Sequence, residues 1–309
     1  MTTRPTAEPH VEDLGGGLFA YIQPDGSWMI NNTGFLVGSN GVVAIDSCST
    51  ERRTRAFVDT VAGLSRDPIH TLLNTHSHPD HTAGNGWFPG ATIVAHERTR
   101  ADLLTARTLP PLEGIFESVA EGDLPSAPPF LTYTDGITLW VDDLRCEVRH
   151  VGTPAHTTND SILWIPDRSI LYAGDLLFAG GTPFLLSGSI AGAIAVLTEV
   201  IAPLGARTIV PGHGPLCGPE TISATLGYLR FVQDLASRGI DAGLSALDAA
   251  RETDLGEYAG WSEPERIVGN LHRAYAEVRG AAPGAPIDVP GAFRDMVTYN
   301  NGKPLTCRA

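Results

Sequence analysis

The sequence predicts an α/β fold made of two related halves stacked sheet to sheet, followed by a helical C-terminal region. Three observations carry this reading. A hairpin ending in an acid, then a helix, then a strand ending in histidine occurs twice, around Ile45-Asp46 to His76 and around Gly174-Asp175 to His213. Stacking two such β-β-α-β halves brings both sets of strand ends to one edge, where ligands gather in layered α/β folds. From Pro219 onward apolar residues recur at helical spacing instead.

Taken in order, Leu18-Phe19-Ala20-Tyr21-Ile22 reads as a strand leading to a turn at Pro24-Asp25-Gly26. Phe35-Leu36-Val37 and Val42-Val43-Ala44-Ile45 flank Ser39-Asn40-Gly41, and Asn-Gly is a hairpin signal. Thr50 can cap a helix whose apolar face is Phe57, Val58, Val61 and Leu64. Thr71-Leu72-Leu73-Asn74 suits a buried strand, Thr92-Ile93-Val94-Ala95 another, and residues 97–105 a short helix. Residues 106–130 are rich in proline and include Leu109, Ile115 and Phe116. They read as a long, partly helical insertion, either a lid or substrate wall or a plain surface excursion.

Two strands are expected over about 137–151, then a hairpin of Ile162-Leu163-Trp164-Ile165 and Ile170-Leu171-Tyr172-Ala173. A helix at about 189–204 and the strand Thr208 to His213 complete the second half. Helices follow, marked by Ile222, Leu226, Leu229, Val232 and Leu235, and by Ile267, Val268, Leu271, Tyr275 and Val278. Residues 281–292, rich in Ala, Pro and Gly, read as a linker before the tail. The expected division is 11–218 as catalytic core and 219–309 as a helical extension packed on it.

Composition narrows the function classes. The formal net charge of −14 argues against nucleic acid as the partner, because phosphate binding wants a basic surface. Lys303 is the only lysine and lies in the tail, which discounts Schiff-base chemistry. Cys48, Cys146, Cys217 and Cys307 are scattered without a CxxC pair, as free thiols in a reducing compartment would be. The start of the chain lacks the apolar core of a signal peptide, and no run of about 18 apolar residues exists to span a membrane. A cytoplasmic protein is the expectation, and a homo-oligomer is compatible with the sequence.

The chemistry centres on Thr75-His76-Ser77-His78-Pro79-Asp80-His81. His76 and His78 are two apart and share one face if the backbone is extended. Pro79 and Gly84-Asn85-Gly86 place the cluster in a loop after a strand. His156 follows the strand break at Gly152-Thr153-Pro154, Asp175 ends a hairpin, and His213 ends a strand. Imidazole and carboxylate without thiolate suit Zn²⁺, with Fe or Mn as alternatives. Seven ligands exceed one tetrahedral ion and fit two ions sharing a bridging carboxylate. Such a pair lowers the pKa of a shared water and polarises a carbonyl.

His-x-His-x-Asp-His, Gly-x-x-x-His-Thr, Gly-Asp after a hairpin and Pro-Gly-His-Gly, in that order over about residues 15–220, resemble the metallo-β-lactamase superfamily. The resemblance implies a four-layer αββα sandwich. It also implies one metal on His76, His78 and His156, a second on Asp80, His81 and His213, and Asp175 bridging them. Asp80 would orient the shared hydroxide and relay a proton. Within the superfamily, Gly181-Thr182-Pro183-Phe184, Gly188 to Gly192, Asn270-Leu271-His272-Arg273-Ala274 and the ending from Tyr299 to Cys307 are similar to ring cyclase/thioesterases of aromatic polyketide pathways. That resemblance implies aldol-type ring closure with dehydration, hydrolytic release from an acyl carrier protein, or both. The alternative is a lactonase or glyoxalase II type of hydrolase.

The apolar stretch Leu176 to Leu186, with Phe178, Phe184 and Leu185, reads with Phe116 either as a wall for a flat aromatic substrate or as ordinary packing. An acidic carrier protein would need a local basic patch on this acidic chain, for which Arg98, Arg100 and Arg107 are the candidates. His10, His70, His96, His150 and His272 lack partners at ligand spacing and are expected to be dispensable for metal binding.

Overall fold

A computed structural model of the chain describes residues 8–106 and 113–309. Two sheets face one another. The first runs in sequence order through β1 (His10–Gly15), β2 (Leu18–Ile22), β3 (Thr33–Gly38), β4 (Gly41–Ile45), β5 (Ile69–Leu73), β6 (Thr92–His96) and β7 (Leu131–Tyr133). Its strands are antiparallel up to β4 and parallel from β4 to β7. The second is formed by β8 (Gly136–Val141), β9 (Leu144–His150), β10 (Ser161–Ile165), β11 (Ile170–Phe178) and β12 (Thr208–His213), in the order β12-β11-β10-β9-β8. Only β11 and β12 pair in parallel there.

The repeated pattern of the sequence is visible as β3-β4-helix-β5 and β10-β11-helix-β12, each with an antiparallel hairpin and then a parallel partner. Alternation along the strands builds the layers. In β4, Val43 and Ile45 face the core between the sheets, while Val42 and Ala44 meet Phe57 and Val61 of α1 (Glu51–Leu64). In β10, Leu163 and Ile165 face the shared core, while Ile162 and Trp164 join the outer helical layer. That layer contains α4 (Ile190–Ala195), α5 (Glu220–Asp241), α6 (Ala246–Glu252), α7 (Arg266–Val278) and α8 (Val289–Tyr299). Two short helices, α2 (Pro79–Thr82) and α3 (Glu97–Ala106), follow β5 and β6. No described helix is long and apolar enough to cross a membrane.

Several elements differ from the sequence expectation. β1 was not expected, because its exposed and half-buried side chains show no apolar alternation, and it forms by pairing its backbone with β2. The helix expected at 189–204 is regular only as α4, then widens into π turns over Val196–Ile201 and tightens over Ala202–Leu204. Pro203, with no N–H to donate, lies where a regular helix would need one. Helix α8 begins inside the expected linker, because Asp288 accepts a hydrogen bond from the Gly291 N–H (2.9 Å) and Ala292, Phe293 and Met296 are buried.

The insertion has no helix over its described residues 113–130, and residues 107–112, including Arg107 and Leu109, lie outside the described residues. Its Phe116 instead forms a parallel bridge with Leu305 of the tail, with Leu305 N–H donating to Ile115 O (2.7 Å).

Candidate metal centre

The parallel pairs β4–β5 and β11–β12 direct their C-terminal ends to one edge. The loop after β5 carries His76 and His78 and turns through α2, which holds Asp80 and His81. The loop after β9 carries His156, β11 carries Asp175 near its end, and β12 ends on His213. The Pro211-Gly212 step admits Asp175, since a Cβ on Gly212 would lie 1.8 Å from Asp175 Oδ1.

All seven predicted side chains meet there, in two groups that share Asp175. His76, His78, His156 and Asp175 form one, and Asp80, His81, Asp175 and His213 the other, with one ligand atom from each residue within 4.8 Å of the rest of its group. In the first, His156 Nε2 lies 2.8 Å from His78 Nδ1 and 3.3 Å from Asp175 Oδ2. In the second, His81 Nε2 is 3.0 Å from Asp175 Oδ1, and His213 Nε2 is 3.2 Å from Asp80 Oδ2 and 3.3 Å from Asp175 Oδ2.

Four of the five rings, all but His78, are oriented from behind. His156 Nδ1 lies 2.5 Å from Phe184 O, and His213 Nδ1 lies 3.1 Å from Gly26 O. His81 Nδ1 is 2.8 Å from Asp46 Oδ2, the same oxygen that accepts from the Thr75 hydroxyl at 2.7 Å. Thr75 Oγ1 in turn lies 3.1 Å from His76 Nδ1. The two hairpin-end acids therefore differ in role. Asp175 faces both ligand groups, whereas Asp46 sits behind His81 and Thr75.

Burial and mutual charge set the protonation of the group. Burial pushes His156 down to about 3 and holds His76 well below its ordinary value, so these imidazoles are neutral. Burial opposes charge on His81 and His213 too, but the carboxylates beside them, Asp175 foremost, raise both, His213 to about 9. Burial likewise raises Asp80, and the charges of His81 and His213 reverse this and bring it down to about 2. Asp175 is held well below the usual carboxylate range for the same reason, by the charges of His213 and His81 beside it.

The chemistry of this set fits two cations. His76 Nε2 is buried and makes no hydrogen bond to the protein, and His81 Nε2 and Asp175 Oδ1 approach to 3.0 Å without hydrogen-bond geometry, whereas buried polar atoms rarely go without a partner. An ion ligated by these atoms supplies one. Nitrogen and oxygen donors without sulfur are compatible with zinc, iron or manganese.

A cavity of about 220 Å³ opens directly on both groups. Its wall includes Trp28, Phe116, Phe178, Phe184 and Phe293, together with Arg266. Phe178 stacks on His213 with parallel rings 4.9 Å apart, and Trp28 meets Phe184 edge-on at 4.9 Å. Of the four residues read from the sequence as a substrate wall, Phe116, Phe178 and Phe184 line this cavity. Leu185 does not line it. Leu185 is buried in the core beneath the cavity, with its N–H donating to Asn270 Oδ1 at 2.8 Å.

Sequence reasoning missed Trp28, Phe293 and Arg266, which reach the cavity from a turn and from the C-terminal helices. Arg266 is almost wholly buried, ion-paired with Glu263, and lies 4.0 Å from the Trp28 ring centre. An arginine opening a strongly amphipathic helix, with Asn270 and Arg273 at helical spacing from it, was the available signal, but spacing alone does not say what that face meets.

Cys217 Sγ points to Ile209 O, outside both ligand groups. His96 and His150 stack on each other, and His272 pairs with Asp295. Arg98 and Arg100 donate to the backbone oxygens of Thr158 and Pro129, which ties part of each guanidinium to the protein itself.

A profile described as the metallo-beta-lactamase superfamily matches residues 26–213. The alpha subunit of 2,4-dinitroanisole O-demethylase from Nocardioides sp. is 27% identical over 179 residues, 57% of this chain and 50% of that protein. A hydroxyacylglutathione hydrolase of Rhodospirillum rubrum is 30% identical over 183 residues, 59% of this chain and 60% of that protein. The chain thus spans between 50% and 60% of the length of these two relatives. In structure it is similar to a metallo-beta-lactamase from Pontibacter korlensis, with a TM-score of 0.59 at 19% identity over 72% of this chain and 99% of the other. At that identity the likeness shows the fold.

Proposed function

We propose, from the premise that this chain belongs to the metallo-beta-lactamase superfamily and is a hydrolase of that fold, that it acts on aromatic polyketide thioesters carried by an acyl carrier protein. Residues 11–218 would be the catalytic unit, and 219–309 the extension that completes the substrate cavity. The observation that carries this reading is the cavity itself. Five aromatic side chains stand around a space of about 220 Å³ that opens on the two ligand groups. A flat acyl group buries its faces against such walls, and ring–ring contacts add to the transfer of apolar area from water.

His76, His78 and His156 would hold one zinc ion and Asp80, His81 and His213 the other, with Asp175 common to both. When bound, the ions supply Lewis acidity and a nucleophile at neutral pH. The chain's own residues do the rest. The aromatic walls hold the acyl group and exclude water from it. Asp80, which lines the cavity and lies 3.2 Å from His213 Nε2, would orient the attacking water and relay its proton. The same walls and electrophilic centre suit an aldol-type ring closure with loss of water, since both reactions develop charge on a carbonyl oxygen.

A zinc-loaded sample tested on aromatic acyl thioesters, short acyl thioesters, lactones and β-lactams decides the class. Efficient cleavage of the aromatic thioesters is expected. Lactone opening with aromatic thioesters untouched would overturn the reading. The similarity to a hydroxyacylglutathione hydrolase favours a second reading, a small-thioester hydrolase, which the same panel would reveal as preference for short acyl groups.

A further inference from the structure

The metal centre borders more than one space. Besides the aromatic cavity, a groove of about 710 Å³ runs past Asp102 and Leu103 of α3 and past Glu121, Leu124 and Ser126 of the insertion. The two spaces share His78 and Pro79. The groove is thus bounded by an insertion that, at Phe116, also walls the cavity.

A thioester has two arms diverging from its carbonyl carbon. With the acyl arm in the aromatic cavity, the sulfur arm has to leave in another direction, and the groove beside His78 provides one. We propose that this groove binds the leaving-group arm of the substrate, and that this arm is a neutral chain of amides ending in the thiol. The inference rests on the thioester reading above. In the reaction, water oxygen bonds to the acyl carbon and the C–S bond breaks. The electron pair and one proton end on sulfur, so that a carboxylic acid and a thiol are released.

The chemistry of the lining selects the arm. Among the described residues the groove carries two carboxylates, Asp102 and Glu121, and neither lysine nor arginine. Asp102 is held at the wall by the Asn159 side-chain amide (2.7 Å) and the Ser77 hydroxyl (3.2 Å). Carboxylates accept from amide N–H groups and repel an anionic arm. Pro79, Leu103 and Leu124 offer apolar surface to the methylenes between amides. Pantetheine has this neutral amide character, and glutathione, with its carboxylates, does not.

The test attaches one acyl group, 2-naphthoyl, to pantetheine, glutathione and ethanethiol, and measures kcat and KM with zinc-loaded protein. The pantetheine thioester is expected to show a KM roughly tenfold below that of the ethanethiol thioester. The glutathione thioester should show a KM above that of the pantetheine thioester, and Glu121→Gln should narrow this gap. Ser126 is exposed, so Ser126→Trp should fill the groove without unfolding the chain. It should raise the pantetheine KM to the ethanethiol level and leave the ethanethiol thioester unchanged. Leu124→Trp serves as a second variant of the same kind.

Calorimetry with S-methylpantetheine, which lacks a free thiol for metal, reads the groove without turnover. Binding to the native chain and its loss in Ser126→Trp are expected. Equal KM for all three thioesters, a preference for glutathione, or a uniform effect of Ser126→Trp would overturn the groove assignment while leaving the thioesterase reading intact. S-methylpantetheine binding that Ser126→Trp abolishes, with no naphthoyl thioester cleaved, would keep the groove and overturn the thioesterase reading.

Discussion

Replacing Asp46 by Asn tests whether the metal centre is held from behind through one carboxylate. Asp46 stands in neither ligand group. Its Oδ1 accepts from the Thr75 N–H at 2.7 Å, and its Oδ2 takes both the Thr75 hydroxyl at 2.7 Å and His81 Nδ1 at 2.8 Å. An Asn of the same shape keeps its single oxygen for one of these sets and turns an NH₂ group on the other. With the oxygen kept on Thr75 N–H, two donors face each other at His81 Nδ1. The ring then loses the bond that fixes its orientation and leaves Nε2 free for a metal.

Loss of such a supporting bond costs roughly 10–100-fold in metal affinity. That is about 1.4–2.7 kcal/mol. Because Thr75 also joins Asp46 to His76 Nδ1, Asp46→Asn should weaken both sites, the Asp80/His81/His213 site more. Thr75→Val removes the hydroxyl but leaves the Asp46–His81 bond, so it should weaken the His76/His78/His156 site alone. Competition against a chromophoric zinc chelator resolves the two steps. Unchanged affinity at both sites in Asp46→Asn, or loss at the second site in Thr75→Val, would refute this chain of support.

Phe184→Leu keeps an apolar side chain but opens the edge-on contact with Trp28, and should raise KM for a bicyclic aromatic thioester while leaving a short acyl thioester nearly unchanged. Arg266→Met leaves the largely buried Glu263 carboxylate without its ion-pair partner, with the Trp28 backbone N–H still donating to it, and should cost roughly 3–5 kcal/mol in urea unfolding, of which the double variant with Glu263→Gln recovers a large part. Burial and the stacked His96 push His150 down to about 4, so between pH 6.5 and 4 the unfolded chain binds a proton that the folded chain refuses. Stability from this group is full above that window and lost as pH falls through it. Melting temperature should therefore drop less steeply with acid in His150→Gln than in the native chain, and parallel curves would count against the assignment. His272→Gln removes a pairing with Asp295 remote from both ligand groups and should leave zinc content by elemental analysis unchanged.

The sequence by itself determined the order of the β-β-α-β halves and the seven side chains that meet at the strand ends. These are local properties. Alternation of two marks a strand, Gly and Pro mark its end, and a histidine placed just beyond that end must lie at the sheet edge. The edge strand β1 and helix α8 were less legible. Their pairing and packing partners lie in β2 and in the outer helical layer, and their own composition is polar or rich in Pro, Ala and Gly.

Only the tertiary structure decided how like residues divide their work. Asp46 and Asp175 end similar hairpins, yet Asp46 faces Thr75 and His81 from behind while Asp175 faces both ligand groups. Phe184 and Leu185 are neighbours in the chain, but one walls the cavity and the other fills the core. Trp28 is far along the chain from Arg266 and Phe293, and the three meet because α7 and α8 pack over the same edge. A cavity is a property of surfaces brought together by folding, and spacing along one segment carries no record of which distant segment will face it.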